Sequence, residues 1–124
     1  MTAPNIVNVS SIVGITTAIN LTTTDTTTIL SNASASNKVL KINTIIASNI
    51  DGSSAADITV KYHLSAAGAG TSVALANTIT VPADASLVII SKDNPIYLEE
   101  DRSLTTQASA ADDIAIVCSY EEIS

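Results

Sequence analysis

Apolar and polar residues alternate one by one in several short stretches of the chain, and this spacing restricts the possible folds more than any other feature. Residues 57–64, DITVKYHL, place apolar side chains at every second position, and residues 73–81 repeat the pattern less strictly. Because successive side chains of a β-strand point to opposite faces, such stretches predict strands with one face toward a core and one toward water.

The composition agrees with an all-β fold. Apolar residues make up 46% of the 124 positions, yet the chain has no Phe, no Trp and only three Tyr, so Ile, Val, Leu and Ala must form the core. Abundant Thr, Val and Ile suit a pleated sheet. Turn signals separate about eight predicted strands at intervals of roughly 8–12 residues, which is typical of a single β-sandwich or jelly-roll-like domain. We expect this domain over residues 21–124.

Residues 1–20 are low in charge and carry spaced Ile and Val side chains. They predict either a first strand of the sandwich or an N-terminal arm that lies on a neighbouring subunit. An exposed, uncharged segment of this kind invites aggregation, so we expect another element or molecule to cover it. If the arm packs on a neighbour, its predicted anchors are Ile6, Val7, Val9, Ile12, Val13 and Ile15.

The stretch at residues 38–50 predicts a strand with one regular and one mixed face. Ile42 and Ile46 fall on the regular face, whereas Val39 and Ile45 fall on the mixed one with Lys41. We expect another strand or subunit to cover Val39 and Ile45, which makes them further candidates for an interface. Residues 49–52, NIDG, favour a bend, so a hairpin with residues 57–64 is the first interpretation and a crossover between two sheets is the alternative.

The net charge of −7 limits the possible partners. Only five Lys and Arg are present, and they are scattered along the sequence. Phosphate binding needs clustered basic residues, so nucleic acid is not an expected partner, and neither is an anionic membrane surface. Acidity of this degree keeps a protein soluble, and the alternative is that it complements a basic partner.

Residues that could carry chemistry are few. His63 is the one histidine and falls on the polar side of its predicted strand, so we interpret it as a surface residue. The acidic groups at 99–101, 112–113 and 121–122 lack the spacing of a calcium loop and predict charged loop tips, with a metal between subunits as the open alternative. Cys118 is the one cysteine and predicts a small buried hydrophobe. We therefore expect no catalytic residues, no cofactor and no enzyme activity.

Five stretches of the chain together resemble a family of small virion structural proteins of tailed bacteriophages, with the phages of cyanobacteria as first candidates. They are residues 5–12, 45–52, 78–84, 96–104 and 117–124, and the last two carry most of the resemblance. Proteins of this family show an L-E-x-G-D-S-L corner, and the chain reads LEEDRSL over 98–104 before closing on SYEEIS. Asp101 stands where glycine is commoner and Arg102 where aspartate is commoner.

The resemblance implies a non-enzymatic virion component. Its first implication is a capsid decoration or cement protein on the head surface, assembled in the host cytoplasm, that binds the major capsid protein or other virion proteins as a homo-oligomer, with a trimer favoured. The alternatives are a tail, neck or fibre-associated protein, and a host-surface binding module that uses the loops at 51–56 and 66–71.

Overall fold

The structure is a computed structural model that describes Pro4 and residues 6–124. Nine strands and one short 3₁₀ turn account for the regular structure of these residues. The strands are β1 (Ile12–Leu21), β2 (Thr27–Asn32), β3 (Val39–Asn49), β4 (Ala56–His63), β5 (Ser72–Val81), β6 (Ser86–Ile90), β7 (Ile96–Leu98), β8 (Arg102–Ala108) and β9 (Ile114–Ile123), and the 3₁₀ turn is Ala66–Gly68. The predicted all-β class is confirmed.

The strands form two antiparallel sheets that pack face to face. Sheet A has the order β1-β9-β3-β6, with β7 also paired to β3, and sheet B has the order β2-β8-β4-β5. The pairs are nested along the chain, because β1 pairs with β9, β2 with β8, β3 with β6 and β7, and β4 with β5. A long antiparallel hairpin rolled up in this way is the jelly-roll arrangement, so the predicted sandwich is confirmed.

The chain changes sheet between β3 and β4. The predicted hairpin between these strands is wrong, because β3 lies in sheet A and β4 lies in sheet B. The alternative prediction, a crossover, is correct. Asn49 holds this corner, since its side-chain amide donates to the carbonyls of Ser54 and Val81, each at 2.9 Å. Asn32 holds the preceding corner in the same manner, with bonds to the carbonyls of Lys38 and Leu98.

A β-bulge in β3 determines which of its side chains enter the core. The register against β9 shifts between Ile42 and Thr44, so Asn43 is an extra residue in the strand. One inserted residue exchanges the two faces of everything that follows it. Ile45 is therefore 0% exposed inside the sandwich, and Ile46 points outward. The assignment of Ile45 to an outward, mixed face is wrong for this reason.

The core is aliphatic, as the composition requires. Its fully buried members include Ile42, Ile58, Leu104 and Ile116 from both sheets. Each such side chain contributes about 1.5–3 kcal/mol when buried, so aliphatic residues hold the two sheets together, with Tyr62 and Tyr120 packed against the core only partly buried. Cys118 is among the buried residues, which confirms its predicted role, and burial raises the pKa of its thiol to about 11.

β6 lies at the edge of sheet A, and Val88 within it is 56% exposed although it belongs to the apolar run 87–90. No helix in the described part of the chain is long and apolar enough to cross a membrane.

Candidate association surface

The chain's own loop at residues 64–71 covers one end of the outer face of sheet B. The amides of Ala66, Ala67 and Gly68 donate to side chains of Asp101, Ser31 and Ser103 at 2.8–3.0 Å. Ser103 in turn donates to the carbonyl of Ser65 at 2.7 Å. These bonds fasten the loop across β2 and β8.

Gly68 shows how closely the loop approaches the sheet. Its φ is +72°, and a Cβ at this position would stand 2.8 Å from Thr28 Oγ1 and 3.1 Å from Thr105 Cγ2. Only glycine combines this backbone conformation with so close an approach. Glycine at position 68 is thus required by packing against sheet B.

His63 lies beneath this loop. Its side chain is buried, and Nε2 lies 2.8 Å from Thr105 Oγ1, while Nδ1 has no hydrogen-bond partner among the described residues. The prediction of a surface histidine is wrong, because the loop covers the polar face of β4 at this point. No nucleophile with an orienting third group accompanies it in the contacts of the described residues.

The corner at 98–104 contains a residue in the left-handed backbone region. Asp101 has a φ of +58°, which Asp tolerates better than most residues. Its carboxylate also accepts a hydrogen bond from the Ala66 amide and so joins the corner to the loop. Arg102 donates to the carbonyls of Leu64 and Asp101 at 3.2 and 3.0 Å.

Glu100 was predicted at an acidic loop tip, and this is wrong. Its side chain is 1% exposed, and neither carboxylate oxygen has a hydrogen-bond partner among the described residues. Over Pro4 and residues 6–124, no three His, Cys, Asp or Glu side chains come together in a way that could hold a metal ion.

One open cavity of about 330 Å³ lies on sheet B. Its walls include Thr24, Asp57, Thr59 and Gln107. Several of these groups are already engaged, since Asp57 accepts from Thr80 at 2.7 Å and Gln107 donates to the Thr24 carbonyl at 3.0 Å. The cavity is a shallow recess in which Asp57 and Gln107 already have hydrogen-bond partners within the protein.

The outer face of sheet A is open, in contrast to that of sheet B. Across its middle runs a row of aligned residues from all four main strands, Ala18, Val117, Ile46 and Val88. The flanking rows hold hydroxyl and amide side chains, with Thr16 donating to Ser119 at 3.3 Å and Ser48 bonded to Ser86 at 2.9 Å. This central part of the face carries no charge, although the chain as a whole carries −7.

The edge of sheet A formed by β1 is the most regular edge in the described structure. All ten residues of β1 pair with β9 without a register shift. No strand of the described residues pairs with the other side of β1. The strand contains no charged residue and no proline, which are the devices that commonly protect an edge from pairing with other chains.

The segment before β1 adds further exposed aliphatic side chains. Ile6 is 55% exposed and Val7 is 90% exposed, and Ile12 and Val13 at the start of the strand are exposed as well. The backbone between them is tied to the end of β9, since the amides of Ser10 and Ser11 both donate to the carbonyl of Ser124. Exposed aliphatic residues therefore lie just before β1 and at its first two positions.

The predicted interface residues divide into two groups. Ile6, Val7, Ile12 and Val13 are exposed at the β1 edge, and Val9 and Ile15 are half-buried there. Val39 and Ile45 are buried within the chain itself, so their burial needs no second subunit. A contact of the exposed group with a neighbour stays a prediction. Of residues 1–20, the structure assigns 12–20 to β1.

Sequence reasoning missed the open face of sheet A. Its residues come from four strands that are distant in sequence, and only the register of the sheet aligns them. The low charge of residues 1–20 indicated an exposed segment, and the structure shows that β1 within it forms an edge of the sheet.

Comparisons with known proteins give a similar fold and no family. No family model matches the chain, and no curated protein matches it. Among solved structures, the chain is similar to one from Bacillus endospore appendages, which are described as forming a novel family of disulfide-linked pili. The TM-score is 0.53 at 16% sequence identity, over 92% of this chain and 88% of the other. At this identity the likeness concerns the fold alone.

Proposed function

We propose that this chain is a non-enzymatic structural subunit that works by associating with other protein surfaces. The observation that carries the proposal is the uncharged ten-residue edge of β1, with the exposed side chains of Ile6, Val7, Ile12 and Val13 beside it. Such an edge is a template for pairing, and proteins that remain monomeric normally interrupt it. A rigid sandwich with one edge that can pair with another chain is suited to be a subunit of a larger assembly.

The specific role that we propose is capsid decoration or cement on a phage head. It is supported by the resemblance of residues 96–104 and 117–124 to small virion proteins, and by the positive φ of Asp101, which preserves the corner of that family. Its partner would be the major capsid protein, and the acidic loops would face the solvent. A tail or neck position with the same sandwich is the alternative within a virion.

A second candidate is a subunit of an extracellular appendage, which the fold similarity to the endospore pili favours. Linkage by disulfides is not open to this chain in the described fold. Its one cysteine, Cys118, points into the core and is 1% exposed. An appendage built from this chain would therefore depend on non-covalent contacts.

The host-surface binding module has the least support. One of the two loops assigned to it, residues 66–71, is fastened to sheet B by hydrogen bonds and offers few free polar groups. The recess on sheet B has no aromatic wall on which a sugar could stack.

High-resolution imaging of intact virions that carry this chain tests the proposal. Many copies spread over the head would establish decoration, and a few copies at the tail or neck would assign the chain there. Absence from the particle, together with filaments formed by the purified chain, would overturn the capsid role and favour the appendage. A chain that is absent from particles and stays monomeric would overturn both.

A further inference from the structure

We propose that β1 pairs antiparallel, edge to edge, with β1 of a second copy of this chain. The pairing would join the two A sheets into one continuous sheet through a two-fold contact. This inference does not depend on capsid decoration, because the same dimer could serve a head, a tail or an appendage.

The first step is the unsatisfied hydrogen-bonding capacity of the edge. In an antiparallel sheet, one side of an edge strand presents a row of backbone N–H and C=O groups with no strand partner. β1 presents such a row over ten residues in unbroken register. Another extended strand can satisfy that row without any rearrangement of the sandwich.

The second step excludes the other edges of the chain as partners for β1. β2 has six residues and a register shift between Thr28 and Leu30. β5 is distorted where it pairs with β4, and Thr78 within it has a φ of +51°, which is strained for a β-branched residue. The edge formed by β6 and β7 is divided by a segment that contains Pro95.

A second β1 is consequently the one match of equal length and regularity among the described strands. Two identical strands related by a two-fold axis meet antiparallel, so the contact is self-complementary and closes at two copies. A pairing of β1 with any other edge would be head-to-tail and would be interrupted by the bulge or the break in that edge.

The third step concerns the side chains that the contact would cover. On the core side of β1, burial decreases from Leu21, which is 2% exposed, to Val13, which is 49% exposed. The side chains on this side of β1 are therefore covered by the core near Leu21 and exposed to solvent near Val13. A second A sheet placed alongside would extend the row and shield Val13 and Ile15.

The charges near the edge allow the contact. The two carboxylates that pair directly with β1, Glu121 and Glu122, lie on β9, one strand inward from the edge. Lys38 Nζ lies 2.8 Å from Glu122 Oε1 and partly neutralises it. The remaining repulsion between two acidic copies is long-range, so we expect added salt to strengthen the dimer.

Sedimentation equilibrium over a range of concentrations tests the proposal. The variant Thr16→Lys/Ala18→Lys places like charges across the contact and should weaken self-association by about tenfold or more. The matched control is Ser86→Lys/Val88→Lys, which has the same spacing, the same outer face and the same loss of one exposed hydroxyl bond, but lies on β6. The control should associate like the unmodified chain.

A cysteine variant keeps the test valid if the lysine variant folds poorly. Thr16→Cys lies at the centre of β1, where a two-fold contact brings the same residue of both copies opposite each other, so it should form a covalent dimer on mild oxidation, whereas Ser86→Cys should not. The buried Cys118 stays inert. A monomer at all concentrations would overturn the proposal, as would a trimer as the smallest assembly. Association that resists the β1 lysines, or that the β6 lysines abolish, would also overturn it.

Discussion

The outer faces of the two sheets differ in how far the chain itself covers them. Sheet B buries polar residues such as Ser103 and Thr105 under its own loop, and three loop amides donate to side chains beneath them. Sheet A leaves an uncharged row of small and aliphatic side chains open. The comparison indicates that the chain covers one end of the sheet B face by itself and leaves the sheet A face, with its β1 edge, available to another molecule.

The largest expected effect separates two adjacent residues of β3. Ile45→Lys places a charge in the core and should lower the free energy of unfolding by about 4 kcal/mol or more. Ile46→Lys lies on the open face of sheet A and should cost about 1 kcal/mol or less. Urea denaturation measures both, and equal costs would contradict the bulge at Asn43 and the open face.

The next effect contrasts one glycine from each face. Gly68→Ala forces a left-handed backbone on alanine and brings its Cβ against Thr28, so we expect a loss of about 2 kcal/mol. Gly14→Ala meets no atom within 4 Å and should raise stability by about 0.5 kcal/mol. Thermal unfolding of both variants shows whether each substitution lowers or raises stability. A harmless Gly68→Ala would mean that the loop does not rest on sheet B.

Serine substitutions should give a smaller contrast. Ser103→Ala leaves the Gly68 amide and the Ser65 carbonyl without their partner beneath the loop, and we expect a loss of about 1–1.5 kcal/mol. Ser48→Ala removes an exposed bond to Ser86 and should change stability by less than about 0.5 kcal/mol. If Ser48→Ala costs as much, the face of sheet A is less open than described.

The smallest effect is a dependence on alkaline pH. Burial raises the pKa of the Cys118 thiol from 9.0 to about 11, so the unfolded chain loses this proton before the folded chain does. The stability from the neutral thiol is complete below pH 9 and is lost as the pH rises toward 11. At pH 10 the unmodified chain should have lost about 1 kcal/mol more than Cys118→Ala. If stability depends on pH in the same way in both proteins, Cys118 is accessible to solvent in the folded chain.

The sequence predicted the strands well because alternation and turn residues are local signals. β3, β4 and β5 lie close to the predicted stretches 38–50, 57–64 and 73–81, and the sandwich class is correct. The faces of β3 were partly mistaken, since the insertion of Asn43 exchanges them without changing the composition. The crossover after β3 was predicted only as the alternative to a hairpin, because a bend at 49–52 is compatible with both connections.

The candidate surface was harder to predict than the strands. Ile6, Val7, Ile12 and Val13 were identified because a low-charge run of aliphatic residues is visible in the sequence. His63 and Glu100 were misplaced, because the loop at 64–71 and the corner at 98–104 fold over positions that local pattern marks as polar. Burial of this kind depends on contacts between distant segments, which no short window contains.

Hydrogen–deuterium exchange of the unmodified chain at low and high concentration tests most directly that β1 is the association edge. The account predicts that amides of residues 12–21 become more protected as concentration rises, while those of the loop at 64–71 do not change. Protection that appears on β5 or β6 instead, or no dependence on concentration anywhere, would contradict it.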